Sequence, residues 1–220
     1  MKFFLDSAHV HEIAHALDMW HIDGVTTNPR HVQASGKPFL TVIREIAQLV
    51  EGTPKTVSVE VNPYLNDWQE MVAEGERLSA ISPNFVIKLH CSEAAFKAIP
   101  ILASKDINVN VTLIFSAVQA LQAMRVGALY VSPFVGWKEA NAEETISFVE
   151  DLVAIRDNYG FDTEILVAAV RNGRQIADAA VAGANIVTAG FSVYQEAFDH
   201  PYTRDGLAKF QGFWDQSQYE

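Results

Sequence analysis

Eight short apolar runs recur along this chain at intervals of roughly 20 to 35 residues, and amphipathic segments fill the gaps between them. The runs lie at 3–5, 24–27, 57–61, 85–89, 109–115, 129–132, 165–170 and 186–190. Between them, residues 8–20 carry Val10, Ile13, Ala14, Leu17 and Trp20 at helical spacing. The same period runs through 38–50, 66–81, 93–103, 116–126 and 142–156, then 172–183, closed by Gly183, and 191–198. A strand followed by a helix eight times over predicts an α/β fold, a (β/α)8 TIM barrel rather than an open sheet. A ninth amphipathic stretch, about 203–217 with Leu207, Phe210, Phe213 and Trp214, predicts an extra C-terminal helix that caps the barrel or packs on another subunit. No linker, low-complexity tract or charge block interrupts the pattern, so residues 1–220 read as a single domain.

A parallel barrel carries its chemistry at the C-terminal ends of its strands. The runs here end in polar or ionisable residues: Asp6, Asn28, Glu60, Lys88, Thr112, Ser132, Arg171 and Thr188. Lys88 is the one that stands out, because the run Phe85-Val86-Ile87 before it is fully apolar, as in a strand buried on both faces. Desolvation disfavours an ammonium, and a neutral amine is the form that attacks a ketone. Taken alone, such a lysine can equally be an ordinary snorkelling residue. Its neighbours favour carbinolamine and Schiff-base chemistry. Glu60 and Thr112, on the flanking units, can relay protons through a water, and Asp6 can take the proton of a hydroxyl as a carbon–carbon bond breaks. Asn28 can hold the same hydroxyls. Each also has a structural reading: Asp6 as a helix cap, Asn28 as the turn residue before Pro29, Thr112 as a β-branched strand residue.

Composition narrows the partners. A net charge of −11 argues against nucleic acid or an anionic membrane surface, and an anionic substrate needs locally placed arginines. The one cysteine, Cys91, excludes an internal disulfide and suits a reducing cytosol; it reads as core filler. The N-terminus lacks a signal-peptide pattern and no run reaches membrane-spanning length, so a soluble, cytoplasmic protein is expected. No P-loop or dinucleotide glycine motif is present, and no cofactor is expected. His11 and His15 have metal-ligand spacing beside His9 and Glu12, but a solvated helix face explains them better, and no metal is expected.

The motifs Gly24-Val25-Thr26-Thr27-Asn28-Pro29, Ser58-Val59-Glu60-Val61, Val86-Ile87-Lys88, Asn110-Val111-Thr112-Leu113-Ile114-Phe115-Ser116 and Ser132-Pro133-Phe134-Val135-Gly136 resemble those of the transaldolases. The resemblance is closest to the short subfamily that includes fructose-6-phosphate aldolase, and it runs from about residue 3 to about 214. It implies a (β/α)8 barrel with Lys88 as the Schiff-base nucleophile and Asp6 as general acid/base. Glu60 and Thr112 are then the residues that hold the catalytic water. Asn28, Thr26, Ser132 and Phe134 fall on the positions that surround the dihydroxyacetone unit. Homo-oligomers, decamers built of exchanged C-terminal helices, are also implied. Glu60 and Phe134 resemble the transaldolases, whereas the aldolases carry Gln and Tyr. Without a tyrosine hydroxyl to help water hydrolyse the adduct, transfer is expected over release.

The departures bear on substrate. Where the family usually has a phosphate-binding arginine, this chain has Trp137; where it has Ser-Phe before Arg171, Ala169-Val170 stand; after Asn28-Pro29 comes Arg30 in place of a small residue; and His90 stands where proline is common. A phosphate favours bidentate arginines and many donors. An indole N–H with Arg171 and Arg30 suits a singly charged sulfonate. The chain is thus similar to a sulfo-transaldolase branch that takes dihydroxyacetone from 6-deoxy-6-sulfofructose, leaving 3-sulfolactaldehyde and giving fructose 6-phosphate with glyceraldehyde 3-phosphate as acceptor. The alternatives are ordinary sugar-phosphate transaldolase (sedoheptulose 7-phosphate/fructose 6-phosphate), with Arg30 or Lys138 replacing the lost arginine, and fructose-6-phosphate aldolase-type cleavage. His90 reads as a tuner of Lys88 or as a structural histidine.

Overall fold

The computed structural model describes residues 1–217. Eight parallel strands close into a barrel in sequence order: β1 (Lys2–Asp6), β2 (Gly24–Thr26), β3 (Thr56–Glu60), β4 (Phe85–His90), β5 (Val109–Ile114), β6 (Tyr130–Pro133), β7 (Glu164–Val170) and β8 (Ile186–Ala189). The helices are α1 (Val10–Met19), α2 (Pro29–Ala34), α3 (Phe39–Val50), α4 (Trp68–Ser79), α5 (Glu93–Ala103), α6 (Ala117–Arg125), α7 (Val135–Ala140), α8 (Ile146–Tyr159), α9 (Gly173–Val181), α10 (Phe191–Phe198) and α11 (Pro201–Trp214). The expected (β/α)8 barrel with an extra C-terminal helix is present. The last helix begins and ends slightly earlier than expected, because Pro201 occupies its first turn, where a missing N–H costs nothing. The surface segment 135–140, with no helical period to show it, is the short helix α7.

Alternation along the strands separates two cores. Outward-facing Leu5, Val25, Val57, Val59, Ile87, Leu89, Val111, Ile165, Val167 and Val187 meet the buried stripes of the helices, such as Val42, Ile43, Ile46 and Val50 of α3. Phe4, Val86, Tyr130, Leu166, Ala168 and Ile186 form a second cluster, which fills the barrel interior. Two residues further along those strands come Asp6, Lys88, Ser132 and Thr188, so the period of two that packs the interior also delivers polar groups above it. Register sets them side by side: Asp6 opposite Thr26, Glu60 opposite Lys88, His90 opposite Thr112. Gly24 is required by this packing, since a Cβ there would stand 2.5 Å from the Phe4 ring.

Capping side chains start the helices where the strands end. Asn28 accepts from the His31 N–H, Asp67 from Gln69 and Glu70, Ser92 from Ala95, and Asn172 from Gln175. Ser116 and Gln119 form a reciprocal capping box. Among the described residues no helix is long and apolar enough to cross a membrane.

Candidate active site

A cavity of about 230 Å³ opens at the C-terminal end of the barrel, with Lys88 at its floor. Lys88 is 4% exposed. Its Nζ donates to the Thr27 carbonyl at 3.1 Å and lies 3.3 Å from Glu60 Oε2. Asp6 faces the same space from β1. Its Oδ1 accepts from Thr26 Oγ1 at 2.7 Å, and its Oδ2 lies 2.9 Å from His31 Nε2. Thr26 is held in turn by Thr188, Oγ1 to Oγ1 at 2.7 Å. Burial pushes the Asp6 carboxyl up, but the hydrogen bond and field of His31, the Lys88 charge and the Thr26 hydroxyl outweigh it and hold Asp6 below the usual carboxylate range. Thr112 lines the cavity as well, and its buried Oγ1 has no hydrogen-bond partner among the described residues. Ser132 Oγ donates to Asn110 Oδ1 at 2.8 Å, while Asn110 Nδ2 donates to Ser58 Oγ at 3.0 Å, a chain that pins the serine from below.

One wall is aromatic. Phe134 sits edge-on to Trp137 at 5.5 Å between centroids, and Phe115 packs against both. Trp137, half exposed on α7, borders this cavity and a second, more open one of about 600 Å³. Asp6, Arg30, His31 and Ala169 also border both, and Arg171 and the start of α10 line the second. Two bulges shape this rim. Leu113 and Ala169 take left-handed backbone (φ 58° and 57°) where the β5–β6 and β7–β8 registers shift. Gly136 packs directly on the second bulge: a Cβ there would stand 2.1 Å from the Ala169 carbonyl oxygen and 3.1 Å from Arg171 Nε.

The model of the transaldolase/fructose-6-phosphate aldolase family matches residues 3–219. The chain belongs to this family. It is 52% identical over its whole length, and over 98% of the relative's, to a 6-deoxy-6-sulfo-D-fructose transaldolase of Priestia megaterium. It is 43% identical over 98% of its length to a probable transaldolase of Dictyoglomus turgidum, 99% of which is covered. Family membership makes it an enzyme that transfers aldehyde or ketone units. The solved thiamine phosphate pyrophosphorylase of Pyrococcus furiosus shares the fold alone, with a TM-score of 0.63 at 10% identity over 89% of this chain and 93% of the other.

Within this family member, the residues singled out from sequence converge. Lys88, Asp6, Glu60, Thr112, Asn28, Thr26, Ser132, Phe134, Trp137 and Arg30 line the first cavity. Arg171 faces the second, beside Trp137 and Arg30. Asp6 does not cap α1, whose cap position is His9; Asn28 both caps α2 and reaches Asp6, its Nδ2 3.5 Å from Oδ1. Lys138 is directed elsewhere: it donates to the Phe115 carbonyl, pairs with Glu143 and stands over the Phe148 ring. His90 borders neither cavity, and Cys91 is half-buried against the outer core. His15 packs edge-on to Trp20 and Phe191, and no cluster of three metal-ligating side chains occurs among the described residues. Two residues escaped the sequence reading. Asn110 lay inside a recognised motif but, in a strand, gave no sign of its bridging role. His31 follows Arg30 on a short helix; its position three residues after the capping Asn28 places its backbone N–H but gives no sign that its ring turns back over the barrel.

Proposed function

We propose that this enzyme is a Schiff-base transaldolase that moves a dihydroxyacetone unit from 6-deoxy-6-sulfofructose to an aldehyde such as glyceraldehyde 3-phosphate. The observation that carries the reading is a buried lysine amine in reach of one carboxylate, Glu60, with a second carboxylate, Asp6, across the same cavity. The Lys88 amine attacks the C2 carbonyl of the donor. The carbinolamine loses water as an iminium forms, with Glu60 and the free Thr112 hydroxyl handling that water and its protons. Asp6, ionised across the neutral range, takes the C4 hydroxyl proton; the C3–C4 bond breaks, its electrons pass into the iminium, and 3-sulfolactaldehyde leaves. The three-carbon enamine on Lys88 then attacks the acceptor aldehyde, Asp6 returns the proton to the new hydroxyl, and hydrolysis releases fructose 6-phosphate. Asn28, Thr26 and Ser132 hold the dihydroxyacetone hydroxyls. Phe134 offers no hydrogen-bond donor to the adduct, so water is poorly assisted and the adduct awaits an acceptor.

Support for the donor comes from the head-group side. Arg30, Trp137 and Arg171 share the second cavity, two guanidinium groups and one indole N–H, a set suited to a singly charged sulfonate yet able to admit the phosphate of an acceptor. The full-length relative named for sulfofructose adds to this. The two arginines also favour a second reading, ordinary sugar-phosphate transaldolase. Following its resemblance to the short subfamily, the chain is proposed to act as a cytoplasmic homo-oligomer, a decamer. Incubation with donor alone, then borohydride reduction and peptide mass mapping, tests the mechanism. A three-carbon adduct on Lys88 with no accumulation of free dihydroxyacetone is expected; steady release of dihydroxyacetone would mean an aldolase, and turnover by Lys88→Ala would remove the Schiff base.

A further inference from the structure

His31 takes no part in the reaction as described, yet it is the residue that completes the surroundings of Asp6. Its Nε2 lies 2.9 Å from Asp6 Oδ2, on the side of the carboxylate opposite the Thr26 hydroxyl on Oδ1. The residue is also tied to this carboxylate through its backbone and Asn28. Its backbone N–H donates to Asn28 Oδ1 at 3.1 Å, so the cap that begins α2 sets where His31 points, and Asn28 Nδ2 returns to Asp6 Oδ1. Asp6, Asn28, Thr26 and His31 thus form one closed set spanning β1, β2 and α2. An ionised carboxylate has about four lone-pair sites. Thr26 and His31 occupy one on each oxygen and stop its rotation, while acceptor capacity remains for a substrate hydroxyl.

We propose that His31 is a positioning residue for the carbon–carbon bond-breaking step, clamping the outer oxygen of Asp6 so that the carboxylate stays aimed at the hydroxyl of the Lys88 adduct. This rests on the transaldolase reading given above. The clamp explains why this chain carries a histidine at the mouth of both cavities rather than a further anion-binding residue: Arg30 beside it supplies the charge for the head group, and His31 faces inward. Other charged groups meet the same space, Lys88 from β4, Glu60 from β3, His9 and Glu12 from the start of α1, and Arg171 after β7. Of the groups acting on Asp6, His31 exerts the largest downward pull on its pKa, against burial. Without His31, burial faces less opposition and the carboxyl titrates at a higher pH. The acid limb of kcat/KM then moves upward.

The length of the sugar trapped on Lys88 isolates this step. With the wild-type enzyme and sulfofructose alone, borohydride should fix mainly the three-carbon adduct, because cleavage is fast. In His31→Ala the amine still attacks, but cleavage is slow. The six-carbon adduct should then predominate, kcat fall roughly tenfold or more with donor KM near wild type, and the acid limb shift upward. His31→Gln keeps an N–H donor without a charge. It should restore the three-carbon adduct while leaving the acid limb raised, and it reads the same point if the alanine variant fails to fold. A wild-type adduct ratio and unmoved acid limb in His31→Ala would overturn the proposal, as would a glutamine variant as impaired as the alanine one. Absence of either adduct from the wild-type enzyme would instead overturn the Schiff-base reading beneath it.

Discussion

Thr112 shows how a single side chain can be separated into structural and chemical roles. A buried hydroxyl normally contributes through the hydrogen bond it makes, but Thr112 Oγ1 makes none within the described protein. Thr112→Val should therefore change stability by no more than about 1 kcal/mol, measured by denaturant melts, since nothing is left unpaired. Turnover should nonetheless fall by roughly a hundredfold, because the relay water loses one of its two anchors. A variant that keeps its activity would take Thr112 out of the proton relay. Residues of this kind were legible in the sequence because polar groups at the ends of apolar runs are conspicuous. Lys88, Asp6 and Glu60 stood out for that reason, and register then brought them together. His31 was hidden because nothing about a helical histidine after Asn28-Pro29-Arg30 tells which way its ring turns; that depends on the cap and on β1, distant by 25 residues.

At the level of elements, the rim depends on one contact between α7 and the bulge of β7. Gly136 allows α7 to rest on the Ala169 carbonyl, and a methyl group 2.1 Å from that oxygen forces one of the two to move. Gly136→Ala should cost about 1–3 kcal/mol in a thermal or denaturant melt. It should also displace Arg171 and Trp137, so donor KM should rise more than kcat falls. Equal effects on both would place the damage at the chemistry instead of the head group. The strands and long helices were legible as periods of two and 3.6. The six-residue α7 was not, because it spans fewer than two turns and Pro133 and Phe134 before it look like loop. Trp137 was recognised as a departure, but only the fold puts it against Phe115 and Phe134, at the boundary of the two cavities.

For the whole molecule, closure of eight units brings Arg30 and Arg171 to one face of a chain with net charge −11, the local arginines that the proposed anionic donor needs. The repeat of strand and helix made this architecture legible, whereas the destination of α11 was not, since an exposed stripe fits either a cap or a neighbour. Leu207, Phe210 and Phe213 lie 56–71% exposed on α11, more apolar surface than water tolerates cheaply, in keeping with the proposed homo-oligomer. Phe210→Asp with Phe213→Asp should lower the mass seen by light scattering; an unchanged mass would exclude this helix from the interface. The reading of substrate is tested most directly by comparing kcat/KM for two donors, each with an acceptor that gives a distinguishable product: 6-deoxy-6-sulfofructose with glyceraldehyde 3-phosphate, and fructose 6-phosphate with erythrose 4-phosphate. Faster, acceptor-dependent release of 3-sulfolactaldehyde is the predicted result. A clear preference for fructose 6-phosphate would contradict the sulfonate assignment and make Arg30, Trp137 and Arg171 an ordinary phosphate site.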